Sequence, residues 1–110
     1  MTVPARPSAT SPANPEDLFI GLWHGNTRRS DVQDASWVLF DFIVKRQKDK
    51  LVCDDGSGNR LFKPAKVVDE GQRWCLKASW TIKDSKAHGT YTFYIDKNNP
   101  IIMYGQEDSV

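Results

Sequence analysis

From Leu18 onward, apolar and polar residues alternate with a period of two, the repeat of a strand buried on one face. Seven segments carry this pattern: Leu18–Gly25, Ala35–Lys45, Lys50–Asp54, Asn59–Val68, Arg73–Lys83, Gly89–Asp96 and Pro100–Tyr104. Short runs rich in Gly, Asn, Asp, Ser and Lys separate them, and each reads as a turn. Links of about 3–6 residues favour antiparallel hairpins between successive strands. No stretch after Asp17 sustains a helical period. The pattern predicts an all-β fold, an antiparallel meander of about seven strands forming a small barrel or a curled sheet. One helical turn should precede it. Asn14 can cap, Pro15 suits the first helical position, and Glu16 and Asp17 suit the positive helix end.

The strands differ in how many faces they bury. In Arg73–Lys83, Trp74, Leu76, Ala78, Trp80 and Ile82 share one face, and the basic residues lie on the other. In Gly89–Asp96, Tyr91, Phe93 and Ile95 oppose Thr90, Thr92 and Tyr94. Both read as half-buried antiparallel strands. Pro64 removes a ladder donor, so its strand should be bulged there or lie at an edge. Ala35–Lys45 is apolar on both faces: Val38, Phe40, Phe42 and Val44 on one, Trp37, Leu39 and Ile43 on the other. Something should cover the second face, whether the leader, a long loop, a ligand or a second subunit, and a homodimer is the simplest cover. Which face points inward stays open.

A chain of 110 residues suits one domain. Residues 1–15 hold four of the six prolines and read as a disordered Pro/Ser/Ala-rich leader, with the domain at 16–105 and a short C-terminal tail at 106–110. Fifteen basic residues against 14 acidic ones exclude a strongly basic nucleic-acid binder. The tryptophans and basic residues of Arg73–Lys83 also fall on opposite faces, which separates stacking from phosphate contacts and argues against nucleic acid. No apolar run approaches the roughly 20 residues of a membrane span. The leader lacks the apolar stretch of a secretory signal, and two cysteines make no disulfide framework. A cytoplasmic protein is the expectation.

Gly21-Leu22-Trp23 follows the helical turn and opens the first strand. This resembles the opening Gly-x-Trp of the calycin families, the lipocalins, fatty-acid-binding proteins and avidins. The resemblance covers about a quarter of the chain. It implies that Trp23 closes one end of a meander barrel and that a ligand enters at the other. The chain departs from the lipocalin pattern in having no long helix after the barrel and no Arg in its last strand to stack on the tryptophan. Other candidates come from the residues alone. Arg28, with Arg29 in the loop 26–34, could hold a carboxylate or phosphate. Asp41 is the one charge inside an apolar strand. Facing inward it would be a site carboxylate, and facing outward a solubility and register device. His24 and His88 show no metal-ligand spacing, Cys53 and Cys75 carry no activating motif and could pair, and Asp54–Asn59 reads as a hairpin turn.

Together these features favour non-enzymatic binding of a small hydrophobic or amphipathic ligand, with Trp23, Arg28, Trp37, Asp41 and Tyr91 as its contacts and no cofactor or metal. The alternative is a protein-interaction module (inhibitor, adaptor or effector) that uses the apolar sheet face. A small barrel isomerase or cyclase would need His24, Asp41 or His88 to meet in one pocket.

Overall fold

The computed structural model of the chain describes residues 14–109. The expected leader, apart from its last two residues, lies outside them, as does residue 110. The described chain opens with a single 3-10 turn, Pro15–Leu18. The Asn14 side chain accepts a hydrogen bond from the Glu16 N–H at 3.0 Å, and the acidic pair Glu16/Asp17 sits in the first turn. The turn's apolar end, Leu18 and Phe19, is buried and closes the foot of the sheet. The first strand therefore starts at Gly21 and not at Leu18.

Eight strands follow: β1 Gly21–Thr27, β2 Val38–Gln47, β3 Lys50–Asp54, β4 Arg60–Phe62, β5 Lys66–Asp69, β6 Arg73–Ile82, β7 His88–Asp96 and β8 Asn99–Ser109. They form two antiparallel sheets, β1-β2-β3 and β4/β5-β6-β7-β8. β4 and β5 are one strand interrupted at Pro64. Phe62 opposes Trp80 and Lys66 opposes Lys77, so three residues face two across the gap, a bulge where proline takes a donor out of the ladder. The bulge turns Ala65 toward the other sheet. Its N–H donates to the Leu51 carbonyl at 2.9 Å, and this isolated bridge joins the two sheets.

Every pairing step is antiparallel, counting β4/β5 as one position and the Leu51–Ala65 bridge as one step. Seven strand positions therefore leave β1 and β8 running in the same direction. An odd meander cannot close on itself by antiparallel pairing. The fold is a curled sheet whose outer edges, β1 and β8, are not hydrogen-bonded to each other.

β2 points Phe42 and Val44 into the core, with Phe40 half-buried beside them, and leaves Leu39, Asp41 and Ile43 outside. That decides the face the sequence left open. The core is aromatic at its centre: Phe42 lies 4.8 Å from Phe93 and 5.0 Å from Tyr91, ring centroid to centroid, and Tyr91 stacks on Phe93 at 5.4 Å. Such pairs add about 0.5–1.5 kcal/mol each beyond the area they bury. On β6, Leu76, Ala78 and Trp80 face the same core, as their spacing predicts. Gly89 on β7 makes room for Trp80, since a Cβ there would lie 2.5 Å from the indole ring. Residues 106–109, expected as a tail, belong to β8 and pair with β7 as far as Gly89. Their polar side chains hid the strand. Residues 35–37, expected as strand, precede β2. Cys53 and Cys75 are both buried and unpaired, one on the inner face of β3 and one on β6. Burial pushes the Cys53 thiol up to about 12.

Candidate functional site

The open seam between β1 and β8 forms a cleft of about 300 Å³. This is at the lower end of the range of small-molecule pockets, about 300–1,000 Å³. Its walls come from both edges and from the core behind them: Trp23 on β1, Phe40 and Phe42 on β2, Tyr91 and Phe93 on β7, and Met103 on β8. Strand alternation explains this lining. Trp23 pairs with Phe42, Gly25 with Phe40, Phe93 with Gly105 and Tyr91 with Glu107, so each residue shares its partner's inward face. Two inward positions on the edges are glycines. No atom lies within 4 Å of a Cβ built on Gly25, so the space before it is empty. A Cβ on Gly105 would lie 1.9 Å from the Thr92 carbonyl oxygen, so β8 approaches β7 more closely there than a side chain allows. The cleft thus stays open at Gly25, where a side chain would have filled it, while Gly105 lets β8 lie close against β7.

Trp23 closes the foot. Its indole Nε1 donates to the Phe19 carbonyl at 2.7 Å, which ties the ring to the 3-10 turn. Below it a shallower depression is lined by Leu18, Ile20, Leu22 and Ile101. Trp23 belongs to both walls and divides the seam in two.

The far end is polar. Arg60 Nη1 donates to Asp55 Oδ2 at 2.5 Å, to Glu107 Oε2 at 2.8 Å and to the Tyr91 hydroxyl at 3.0 Å. The Tyr91 hydroxyl donates to Asp55 Oδ2 at 2.9 Å, and Trp80 Nε1 donates to Glu107 Oε2 at 3.0 Å. The Arg60 guanidinium lies 3.8 Å from the Trp80 ring centroid, within cation–π range. The Asp55 side chain is only 3% exposed. Burial pulls its carboxyl upward, but hydrogen bonds from Ser57, Tyr91 and Arg60 outweigh it and hold the carboxyl below its ordinary value. Burial and the Asp55 bond push the Tyr91 hydroxyl well above its ordinary value, so it remains a donor at neutral pH. The polar end is therefore a fixed array of charges and donors behind an aromatic cleft.

The five residues singled out from the sequence divide between two places. Trp23 and Tyr91 line the cleft. Arg28, Trp37 and Asp41 do not; they lie on the outer surface of the β1–β2 hairpin. There the Arg28 guanidinium sits 4.6 Å from the Trp37 ring, and His24 pairs with Asp41 across the ladder. Leu39, 75% exposed, and Leu22, 65% exposed, flank them. His24 and Asp41 do meet, but in solvent, with side chains 64% and 56% exposed. His88 is elsewhere, bonded to the Lys86 carbonyl. Among the described residues no group of His, Cys, Asp or Glu is placed to hold a metal. No described helix is long and apolar enough to cross a membrane.

Sequence reading missed Asp55, Arg60 and Glu107. Asp55 sits in a stretch that reads as an ordinary turn. Glu107 lies beyond the expected end of the last strand, although the alternation Met103, Gly105, Glu107 marks it as inward once β8 is extended. Compared with protein-family models, with curated proteins and with solved structures, the chain matches none of them.

Proposed function

We propose that this protein binds a small hydrophobic or amphipathic molecule in the cleft between β1 and β8, without chemical turnover. One observation carries the reading: the seam where the curled sheet stays open is lined by aromatic side chains and ends on a fixed polar array. An apolar wall with a few anchored polar groups suits a ligand with a greasy body and a polar end. Trp23 is the floor of this site, the role that the Gly21-Leu22-Trp23 resemblance to calycins implies. Tyr91 is the residue shared by the aromatic wall and the polar end. Two buried, unpaired cysteines fit a reducing cytoplasmic setting.

The test is titration with the neutral dye Nile red, with Gly25→Leu as the blocked variant. Leucine at Gly25 grows into empty space, so the fold should survive and the cleft should fill. Dye fluorescence that rises with wild type and not with Gly25→Leu supports the site. Equal fluorescence from both proteins moves the apolar binding surface elsewhere.

A second reading, a protein-interaction module, rests on the outer face of the β1–β2 hairpin. Leu22, Leu39 and Trp37 are at least 60% exposed there among the described residues. Native mass spectrometry separates the two readings. A monomer that sheds a small adduct on activation favours the cleft. A bare dimer favours the outer face, with a second copy as its cover.

A further inference from the structure

We infer that the cleft selects a cationic head group, an alkyl- or arylalkylammonium, over a carboxylate of the same body. The inference rests on the cleft reading above and adds the sign of the ligand's charge.

Three observations carry it. First, the polar end is not neutral. It holds one guanidinium, Arg60, against two carboxylates, Asp55 and Glu107, which leaves one formal negative charge. Second, that excess faces the ligand. Glu107 lines the cleft, whereas Arg60 and Asp55 lie behind it and do not. Arg60 and Trp80 both donate to Glu107 Oε2, and among the described residues no donor reaches Oε1. An ammonium at the cleft's end would find an oriented carboxylate oxygen there. An incoming carboxylate would find Glu107 in its path, with Arg60 behind it, outside the lining and already paired with Asp55 and Glu107. Third, among the described residues no Lys or Arg lines the cleft, and the one basic side chain in its lining, His24, is turned to Asp41 on the outer face. The walls add to the preference, because the faces of Phe and Tyr rings attract a cation and repel an anion.

Glu107 is held in place by groups that do not touch the ligand. Its Oε2 is fixed at 2.8 Å by Arg60 and at 3.0 Å by Trp80, so the free oxygen is already oriented before a ligand arrives. A hydrogen bond to a charged group of this kind contributes roughly 10- to 150-fold in affinity.

The experiment compares decylammonium, decanoate and decanol on the wild-type chain, by calorimetry and by tryptophan fluorescence, to which Trp23 in the cleft contributes. Decylammonium should bind about tenfold or more tightly than decanoate, with decanol between them, and added salt should narrow the gap. Equal affinities for all three would overturn the charge inference and leave the cleft reading standing. Tighter binding of decanoate would overturn it as well. Binding of none of the three would sink the cleft reading and this inference with it. The comparison needs no variant. Glu107→Gln, which keeps an oxygen for Trp80, then locates the effect: the ammonium preference should vanish while decanol affinity holds. A preference that survives in a folded Glu107→Gln protein would overturn the role given to Glu107.

Discussion

Replacing Arg60 with methionine tests whether the polar end of the cleft also holds the fold together. Methionine keeps much of the aliphatic body and removes the charge and the donors. Asp55, 3% exposed, would lose its cation, and Glu107, 29% exposed, would keep only Trp80 as a donor. Removing one partner of a buried ion pair costs about 3–5 kcal/mol, because the other charge is left buried. The lower end applies here. Arg60 and Glu107 retain some access to water, and Tyr91 and the Ser57 N–H still donate to Asp55. We expect a loss of about 3 kcal/mol near neutral pH, which for a domain of this size lowers Tm by about 12–24 °C. The pH dependence follows from Asp55. Its folded carboxyl lies below the ordinary value despite burial, because hydrogen bonds from Ser57, Tyr91 and Arg60 favour the charged form. A carboxylate lowered in this way contributes stability above its unfolded value, about 4, and loses it as pH falls through the folded value. Without Arg60 the folded value rises, so the deficit of the variant should be largest near neutral pH and smaller near about pH 3, as pH falls toward the wild-type folded value below about 4. Urea unfolding of both proteins at the two pH values measures this directly. A loss under about 1 kcal/mol near neutral pH, or one that does not change with pH, would refute the claim that Arg60 compensates a buried carboxylate.

Two further outcomes follow from the packing. Gly89→Ala should destabilise by about 1–3 kcal/mol, although strand propensity alone favours alanine, because the new Cβ would lie 2.5 Å from the Trp80 ring and 2.9 Å from the Asp108 carbonyl oxygen. Thermal unfolding followed by tryptophan fluorescence gives the sign, and a stabilised variant would mean that Trp80 is free to move. Burial pushes the Cys53 thiol up to about 12, so at mildly alkaline pH it should resist an aromatic disulfide reagent in the folded protein and react at once in denaturant. Rapid labelling of Cys53 without denaturant would show that β3 opens readily.

How much was legible in the sequence depends on the range of the interaction involved. The inward faces of β6 and β7 follow from alternation within each strand, since Leu76, Ala78 and Trp80, like Tyr91, Phe93 and Ile95, stand against polar residues on the opposite face. Pro64 announced its bulge because a missing N–H is a local fact. Asn14 and Pro15 announced the helical turn for the same reason. Trp23 was legible as the residue at the foot of the sheet, though not its bond to Phe19.

The two-faced strand was different. With apolar residues on both sides of β2, alternation separates the faces but cannot say which one meets the core. That sign is set by packing against Tyr91 and Phe93, about fifty residues further along the chain. It turned Phe40 and Phe42 into the cleft and left Trp37 and Asp41 outside. The polar end depends on still longer range. Arg60 meets a carboxylate 47 positions away, and neither residue bears a local mark of the other. Most of the strands, their turns and their alternating faces arise from neighbours along the chain and could be read there, apart from the polar end of β8. The open seam, the inward face of β2 and the charge at the cleft's end could not, because each requires strands distant in sequence to be brought side by side.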